Sequence, residues 1–487
     1  MCQLVENDKM AYFIFNFREI LTNFKNKIIY TDFLLYLCTP FNYKVTMIAE
    51  FKIKNFYSLR DEQTLSFVPT NDDTSRNIYT EEVADGVSLL KIGCIYGSNA
   101  SGKTNILKAL DFFSQFMVND SLNKGDEIGI VPFLLDDVSN KERTQFEMTF
   151  YLNREKYKLS LILDSKVIYE ETLQVYSSFQ PTLLYKRTYN AEKDATDIVF
   201  GGKLGLVKKS RGAIEGNTIN NRTVIAAFGK SNVEKSRLNL VYEFFSQRIA
   251  PIMYPQSSLM GFTKRSIKKD RDGRLKKFIL RFLKASDFNI SDIAIHEEKI
   301  SITPEMELMI KNTSEMPEKA KEEILKKGTL HSDEMFFVHH TSKGDKELYE
   351  ELESRGTKRY MGLATVLYEL LVHGIILPID EIETSIHYEL LSYFIKVFLV
   401  NSMRGGQLII STHDINLLDE DYIRRDVIWF TDKNDAGETQ LIRLSTLGLH
   451  KTLSVYNAYR QEKLVNLPFF DSIYIDMDEF YDQESIE

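Results

Sequence analysis

The feature that most constrains this chain is the octapeptide from Gly97 to Thr104, Gly-Ser-Asn-Ala-Ser-Gly-Lys-Thr, which fits the pattern GxxxxGKT. Its two glycines let the backbone curl until successive N–H groups face a single anion. The apolar run 91–96 predicts a short buried strand before the loop, and apolar residues at helical spacing in 106–113 predict a helix after it. Strand, loop and helix in this order predict a phosphate-binding loop; a chance glycine turn is the alternative.

The residue types in the loop indicate its chemistry. A lysine at position 103 is expected to reach the β- and γ-phosphates of a nucleotide and to act in catalysis. The Thr104 hydroxyl is expected to bind Mg²⁺. We expect the nucleotide phosphates to be bound by the whole loop, which consists of Gly97, Ser98, Asn99, Ala100, Ser101, Gly102, Lys103 and Thr104.

A second candidate element is the strand predicted over 371–380, which ends in Asp380 and Glu381. Asp380 would hold Mg²⁺ through water, and Glu381 would polarise the attacking water as a general base. Two carboxylates after a strand are also typical of an ordinary solvated strand end. Pro378 is unusual in a central strand because it has no N–H, so we expect a bulge or one missing ladder bond there.

A third element is the strand predicted over 407–411, which leads to His413. This histidine could contact the γ-phosphate, although a loop or core histidine is the common alternative. Its position one strand after Asp380 and Glu381 favours a catalytic role. The same region predicts a helix over 385–400 and a further strand over 427–430.

A fourth element is the segment 353–357, Glu-Ser-Arg-Gly-Thr, which lies before the helix that leads to Asp380. Ser354 and Gly356 at a helix start would make a second anion site. Since the chain already has one phosphate loop, a second site implies a second subunit. The alternative is an ordinary helix cap followed by a turn.

The remaining pattern suggests the architecture. Residues 146–152 and 157–163 alternate as in an antiparallel hairpin, whereas 220–330 are expected to be mostly helical and contain no sustained heptads. We expect an α/β fold with a mixed sheet, an antiparallel β lobe and a helical insertion lobe. The expected divisions are 1–46 as an extension of doubtful role, 47–205 and 346–447 as two halves of one head, 206–345 as the helical basic insertion, and 448–487 as an acidic tail.

Bulk properties exclude several classes of protein. A net charge of −9 argues against a general polyanion binder, so any nucleic-acid contact must be local. The three cysteines, Cys2, Cys38 and Cys94, form no close pair or metal-ligand spacing, so a reduced, cytoplasmic setting is expected. No apolar run reaches membrane-spanning length, so no membrane partner is expected.

The order of these four elements resembles the ATP-binding-cassette ATPases of the SMC, RecF and OLD type. The resemblance is nearest to bacterial AAA/ABC-like ATPases of phage-defence and abortive-infection operons, such as the ATPase subunits of PARIS-type systems. It covers about 47–447 and includes the segments 51–58, 96–105, 353–357, 380–387, 411–413 and 425–430.

The resemblance implies roles for named residues. Ser354 and Gly356 would close on the γ-phosphate of ATP held by the other protomer, and His413 would be the switch histidine. Residues 383–385 would cross the dimer seam. Asn55, Phe56 and Asn105 would lie at the nucleotide. Further implied nucleotide contacts are uncertain in two places, since 132–135 contain no glutamine for a Q-loop and Arg355 replaces a signature glycine.

Basic residues are concentrated between Lys264 and Lys284, with a shorter run at 208–211. These stretches could contact DNA or RNA phosphates, or they could be solvated helix faces of mixed charge. The resemblance implies an ATPase using ATP and Mg²⁺ that dimerises through its heads. We expect it to be a sensor or scaffold that controls a partner nuclease encoded nearby. A DNA-clamping repair ATPase and a non-enzymatic ATP-binding module are the alternatives.

Overall fold

The computed structural model describes residues 45–313, 316, 318–450, 453–461 and 464. Predictions for Cys2, Cys38, residues 1–44 and the acidic stretch from Asp471 lie outside these residues. The strands are β1 Thr46–Lys54, β2 Gln63–Ser66, β3 Thr80–Ala84, β4 Val87–Leu90, β5 Ile92–Tyr96, β6 Thr144–Leu152, β7 Glu155–Leu163, β8 Ile168–Tyr176, β9 Thr182–Asn190, β10 Ala195–Phe200, β11 Ile290–Ser301, β12 Thr329–Thr341, β13 Gly344–Tyr349, β14 Ile376–Ile379, β15 Gln407–Ser411, β16 Ile428–Lys433 and β17 Thr439–Arg443.

Twelve α-helices lie among the described residues. They are α1 Arg76–Tyr79, α2 Lys103–Val118, α3 Lys208–Asn217, α4 Val224–Lys230, α5 Arg237–Glu243, α6 Leu259–Lys269, α7 Arg274–Ala285, α8 Pro304–Asn312, α9 Glu318–Lys327, α10 Arg355–His373, α11 Tyr388–Asn401 and α12 Val455–Arg460. None of the helices in the described ranges has the length and apolar character that crossing a membrane requires.

Two sheets enclose the helix that follows the phosphate loop. A five-stranded sheet in the order β14-β15-β5-β16-β17 is parallel except for β17, and a seven-stranded antiparallel sheet runs β10-β9-β8-β7-β6-β1-β2. Helix α2 is buried along most of its length, and Phe113 packs with ring centroids 5.5 Å from both Phe51 and Phe146 of the antiparallel sheet. The expected α/β fold with a flanking β lobe is confirmed.

The antiparallel lobe follows the alternation in the sequence closely. Strands β6 and β7 pair in register from Thr144–Leu163 to Leu152–Glu155. The turn consists of Asn153 and Arg154, both with positive φ, as a two-residue hairpin of type I′ requires. The alternating residues of β7 are buried, which places one face of this lobe against the common core.

The insertion contains the helices that the sequence predicted and, in addition, a β ribbon that it did not predict. Strands β11 and β12 form this long antiparallel ribbon, β13 pairs with β12, and α8 and α9 lie between the two long strands in the chain. Met306, Ile310 and Met316 form a separate small core at this end of the ribbon. Charged residues are frequent in β11 and β12, so their sequence does not suggest strands.

The base of the ribbon is tied to the start of α10. Lys264 lies 2.7 Å from Glu350, and His339 of β12 contacts Glu353 directly. Glu353 directly precedes Ser354, the N-cap residue of α10, and Glu350 lies four residues before it. The ribbon is therefore joined to the helix start through His339, and the segment between them is joined to α6 through Lys264.

The strand predicted over 371–380 is shorter in the structure. Residues 371–373 complete α10, Gly374 ends that helix with φ 61°, and only Ile376–Ile379 form β14. The helix predicted from 385 begins at Tyr388, because Ser385 has φ 65° and the His387 side chain accepts the N-terminal hydrogen bond. The prediction of a strand over 407–411 is confirmed, and the next strand begins at Ile428.

Pro378 needs neither a bulge nor a lost ladder bond. Strand β14 is the edge of the five-stranded sheet, and the Pro378 carbonyl faces away from β15, where it accepts from Met253 N at 2.9 Å. The nitrogen and carbonyl of one strand residue point to the same side, so the missing N–H also faces away from β15. Isolated bridges of Ile249 and Met253 to β14 cover this edge.

The segment after 447 is not simply a solvated tail. Helix α12 buries Val455, Ala458 and Tyr459, and the Tyr459 ring stacks on Phe430 with centroids 5.6 Å apart. This part of the expected tail thus packs against the parallel sheet.

Gly374 offers a test of this packing. A Cβ at this residue would lie 2.1 Å from the Arg404 carbonyl oxygen, and its φ of 61° strains any other residue. We expect Gly374→Ala to lower the free energy of unfolding by about 2–4 kcal/mol. Gly212→Ala is the control, since Gly212 lies in helix α3 with open space around it and alanine favours helix. Urea unfolding of both variants measures the difference; equal stability would contradict this account.

Candidate functional site

The phosphate loop connects the end of β5 with the start of α2. Gly97 has φ 156°, Ala100 has φ 61° and Gly102 has φ 108°. A Cβ at Gly97 would lie 2.3 Å from Thr431 Oγ1, and one at Gly102 would lie 2.2 Å from Thr439 Oγ1. The glycines therefore let the loop approach β16 and β17 more closely than any side chain allows.

Side-chain hydroxyl groups on β16, on β17 and at Ser58 hold the loop in place through hydrogen bonds. Ser101 Oγ lies 2.6 Å from Thr431 Oγ1, and Thr439 Oγ1 donates to the Ser101 carbonyl at 2.8 Å. Asn105 Nδ2 donates to Ser58 Oγ at 2.7 Å, and Ser58 Oγ lies 2.7 Å from Thr439 Oγ1. Thr431 and Thr439 could not be selected from the sequence, since only the fold brings them to the loop. Asn105 lies directly after the phosphate loop, but its side-chain amide donates to Ser58 and so supports the loop.

The Lys103 side chain folds back toward the first residues of the phosphate loop. Its Nζ donates to the Gly97 and Ser98 carbonyls at 2.8 and 2.9 Å, and lies 3.5 Å from His413 Nδ1. Burial lowers the Lys103 pKa to about 8, although the carboxylates of Asp380, Glu381 and, more weakly, Glu383 act in the opposite direction. A triphosphate entering the loop would supply the missing counter-charge.

Asp380 lies at the centre of the site, almost completely buried. Thr104 Oγ1 donates to Asp380 Oδ2 at 2.9 Å, and Ser411 Oγ donates to Oδ1. The structure therefore brings together the two predicted metal-binding residues from positions 276 residues apart. A hydroxyl and one carboxylate beside bound phosphates form the donor set that Mg²⁺ prefers, so these residues fit the expected ion.

Glu381 directly follows and has φ 45°, a conformation that non-glycine residues rarely adopt. Its N–H donates to Ser411 Oγ at 2.9 Å, and its Oε1 lies 3.6 Å from His413 Nε2. The side chains of Glu381 and His413 both remain partly open to solvent. Ser411, which the sequence did not single out, thus orients both carboxylate residues at this strand end.

The segment expected to cross the dimer seam also contacts the site. Glu383 Oε1 accepts from His413 N at 2.6 Å. Ser385 has φ 65°, and its carbonyl oxygen lies 3.1 Å from the place where a Cβ of Gly356 would stand. The segment 381–387 therefore extends from the strand end at Asp380 to the start of α10.

Ser354 and Gly356 lie at the N-terminus of α10, as predicted. Ser354 Oγ accepts from Thr357 N at 3.0 Å, so the ordinary cap geometry is present. Ser354 is exposed, and within the described residues its side chain forms hydrogen bonds only to Thr357, in the first turn of the helix. This helix start is not joined to the phosphate loop of the same chain by any hydrogen bond of the described residues.

Asn55 and Phe56 do not have the role that the resemblance implied. Asn55 is fully buried, donates to the Ser139 and Glu142 carbonyls at 2.8 and 3.0 Å, and accepts from Phe133 N at 2.9 Å. Phe56 is also buried. Their expected contact with the nucleotide is wrong, because these side chains are used inside the fold. The neighbouring Tyr57 is the exposed aromatic residue, with Lys108 Nζ 5.4 Å from its ring centroid.

An exposed glutamine lies in a segment that contacts Asp380, outside 132–135. The segment that bridges β14 continues from Met253, whose carbonyl accepts from Asp380 N at 2.8 Å, into Tyr254, Pro255 and exposed Gln256. Asp380 and Asp111 are among the charges that, with burial, raise the Tyr254 pKa to about 12. In the sequence, Gln256 is only a polar residue after a short apolar run. This pattern is too common to single the residue out without knowledge of the strand pairing.

The family comparison covers this whole arrangement. Residues 92–419 match the family model described as "AAA domain, putative AbiEii toxin, Type IV TA system". The matched range includes the phosphate loop, the start of α10, Asp380, Glu381 and His413. None of the curated proteins matches the chain in a search of their sequences.

Solved structures with similar folds include the SMC head domain from Thermotoga maritima, with 13% identity, a TM-score of 0.37, and coverage of 82% of this chain and 98% of that chain. The SMC head bound to the C-winged helix domain of ScpA has 13% identity, a TM-score of 0.36, and coverage of 85% and 99%. The recombination mediator protein RecF with ATP has 13% identity, a TM-score of 0.32, and coverage of 83% and 100%.

The Lys103 pKa generates a test of the site. A lysine with a lowered pKa is charged below about pH 8 and neutral above it in the free protein. Binding of a triphosphate favours the charged form, so above pH 8 binding must take up a proton. We expect ATP affinity to be constant from pH 7 to 8 and then to fall by up to about tenfold per pH unit.

Equilibrium titration with a fluorescent ATP analogue between pH 7 and 9.5 measures this dependence. Lys103→Met is the control, because its weaker affinity should no longer vary over that range. A wild-type affinity independent of pH up to 9.5 would contradict the lowered pKa.

Proposed function

Because the chain belongs to the AAA domain family whose model spans residues 92–419, we propose that it binds and hydrolyses ATP between two copies of its own head. The observation that carries the proposal is the juxtaposition of Glu381 and His413 beside the bonded pair of Thr104 and Asp380. The phosphate loop, the proposed metal-binding pair and the proposed general base thus lie together at the carboxyl ends of β5, β14 and β15.

Each side chain has a place in the reaction. Lys103 and the N–H groups of the loop bind the β- and γ-phosphates. Glu381 accepts a hydrogen bond from the attacking water and takes up its proton as the water oxygen bonds to the γ-phosphorus. The bond from the γ-phosphorus to the β–γ bridging oxygen breaks in the same displacement, and ADP is the leaving group. His413, within reach of both Lys103 and Glu381, contacts the γ-phosphate. Bound Mg²⁺ at Thr104 and Asp380 would neutralise charge on the phosphate oxygens.

In the proposed dimer, the second copy contacts the nucleotide through the start of its helix α10. Ser354 is exposed and Gly356 is partly exposed, and neither is bonded to the phosphate loop of its own chain within the described residues. A helix of 19 residues presents a positive N-terminal end that is suited to a phosphate. We infer that it closes on the γ-phosphate bound by the other copy.

The cellular role follows from the family description and from the resemblance in sequence. ATP binding would close two heads, hydrolysis would reopen them, and the cycle would hold or release a partner nuclease in a cytoplasmic anti-phage defence system. The matched family is described by a toxin of a type IV toxin–antitoxin system, which supports a role in such systems. Release of a co-purified effector upon ATP addition tests it.

Glu381→Gln tests the chemistry. The amide keeps the size of the side chain but cannot accept the proton, so we expect ATP turnover to fall by about 10²- to 10⁴-fold with ATP binding retained. Phosphate release under saturating ATP measures the change. Glu389→Gln makes the same substitution at an exposed carboxylate in the first turn of α11 and should leave turnover unchanged. Unaltered hydrolysis in Glu381→Gln would favour a module that uses ATP only as structural glue.

A DNA clamp is the second candidate, and one surface favours it. Lys277, Arg281 and Lys284 are exposed on one face of α7 over about 10 Å, and no ion pair within the described ranges involves them. Other cations of the stretch are neutralised, since Lys268 and Lys276 lie 2.7 and 2.8 Å from aspartate oxygens. The predicted basic stretch is therefore partly an ordinary mixed-charge surface and partly an unpaired stripe.

Salt dependence separates the two readings of this stripe. If it binds duplex DNA, the slope of log K against log salt should become shallower by about 2–3 when Lys277, Arg281 and Lys284 are all changed to glutamine. The double variant Lys268→Gln and Lys276→Gln is the control and should retain the wild-type slope. Fluorescence anisotropy measures binding from 50 to 300 mM salt. A wild-type slope near zero would remove the clamp from consideration.

A further inference from the structure

Among the residues that the structure describes, Arg359, in the second turn of α10, has no partner for its charge. The residue is 8% exposed, and its three guanidinium nitrogens are closed off from solvent without a hydrogen bond. Arg187 shows how this chain otherwise buries an arginine. That residue is fully buried too, but it donates to the carbonyls of Ile168, Ile219 and Asn220.

An unpaired buried guanidinium is costly. Transfer of a cation out of water is repaid only by an anion or by several hydrogen bonds. Burial lowers the Arg359 pKa, and no carboxylate of the described residues offsets that effect. An apolar side chain of similar length would suit this environment better. An anion brought to this place would stabilise the charge.

The position of Arg359 indicates where that anion comes from. Arg359 lies one helical turn after Arg355, and helical side chains lean toward the N-terminus. Its guanidinium is therefore expected on the side of the first turn of α10, where N–H groups have no intrahelical acceptor. The helix end and the arginine both attract a negative group to the same place.

The segment that covers this place is held in an unfavourable conformation. The Ser385 carbonyl stands over Gly356, and both Glu381 and Ser385 have positive φ. Positive φ is unfavourable for residues other than glycine unless their surroundings impose it. A movement of 381–387 would relieve that strain and uncover the first turn of α10.

We propose that Arg359 is the cation that receives the terminal phosphate of ATP presented by a second copy of the chain, together with the first N–H groups of α10. This inference rests on the proposed head dimer. Buried Arg359, in addition to the exposed Ser354, thus recognises the γ-phosphate bound by the other copy.

Dimerisation in the Glu381→Gln background tests the proposal. With ATP and Mg²⁺, sedimentation velocity should show a dimer whose dissociation constant rises at least tenfold in Arg359→Met and less in Arg359→Lys, which keeps the charge. ATP binding to the monomer, measured at low protein concentration, should change by less than twofold. With ADP, which lacks the terminal phosphate, Arg359→Met should have no effect on self-association.

The outcomes separate this inference from the proposed function. A Glu381→Gln chain that stays monomeric with ATP refutes the head dimer itself. A dimer that is equally tight with Arg359 and with methionine refutes only the role of Arg359, as does an equal loss of self-association with ADP.

Thermal unfolding without nucleotide excludes a merely structural role. Removing an unpaired buried charge should raise the Tm of Arg359→Met by about 1–3 °C. The matched control, Arg187→Met, should lower Tm because it leaves buried carbonyls without donors. A lower Tm in Arg359→Met would mean that the arginine stabilises the free chain, and would overturn the inference.

Discussion

The site depends on one buried carboxylate. Asp380 accepts hydrogen bonds from Thr104 and Ser411, so a single side chain connects the start of α2 and the ends of β14 and β15. A carboxylate at this depth is tolerated because both oxygens have donors. Losing one donor would leave a buried charge under-bonded, which is costly. The same bonds that hold the sheet edge together thus set the distances on which phosphate chemistry depends.

Electrostatic balance at this edge is incomplete without a ligand. Lys103 is buried and bonded to carbonyl oxygens, and the carboxylates of Asp380, Glu381 and Glu383 do not fully offset its burial. A triphosphate bound in the loop would supply the negative charge that Lys103 lacks. In the proposed function, this binding energy is available before a second copy closes on the nucleotide.

Local sequence patterns predicted the elements that carry chemistry and missed those that depend on distant contacts. The phosphate loop, the carboxylate pair and the strand before His413 are readable because spacing and residue type act within a few positions. Asn55 was misassigned because its partners, Ser139 and Glu142, lie far along the chain. The ribbon β11–β12 was missed because charged positions mask its alternation. Pro378 was explained only by the covering segment at Ile249–Met253.

The attachment of the ribbon at its base has a mechanical consequence. His339 of β12 contacts Glu353, the residue before the N-cap of α10, so the ribbon is joined directly to this helix start. In the proposed head dimer, a rotation of the ribbon about this contact would displace Ser354 relative to the nucleotide bound by the other copy.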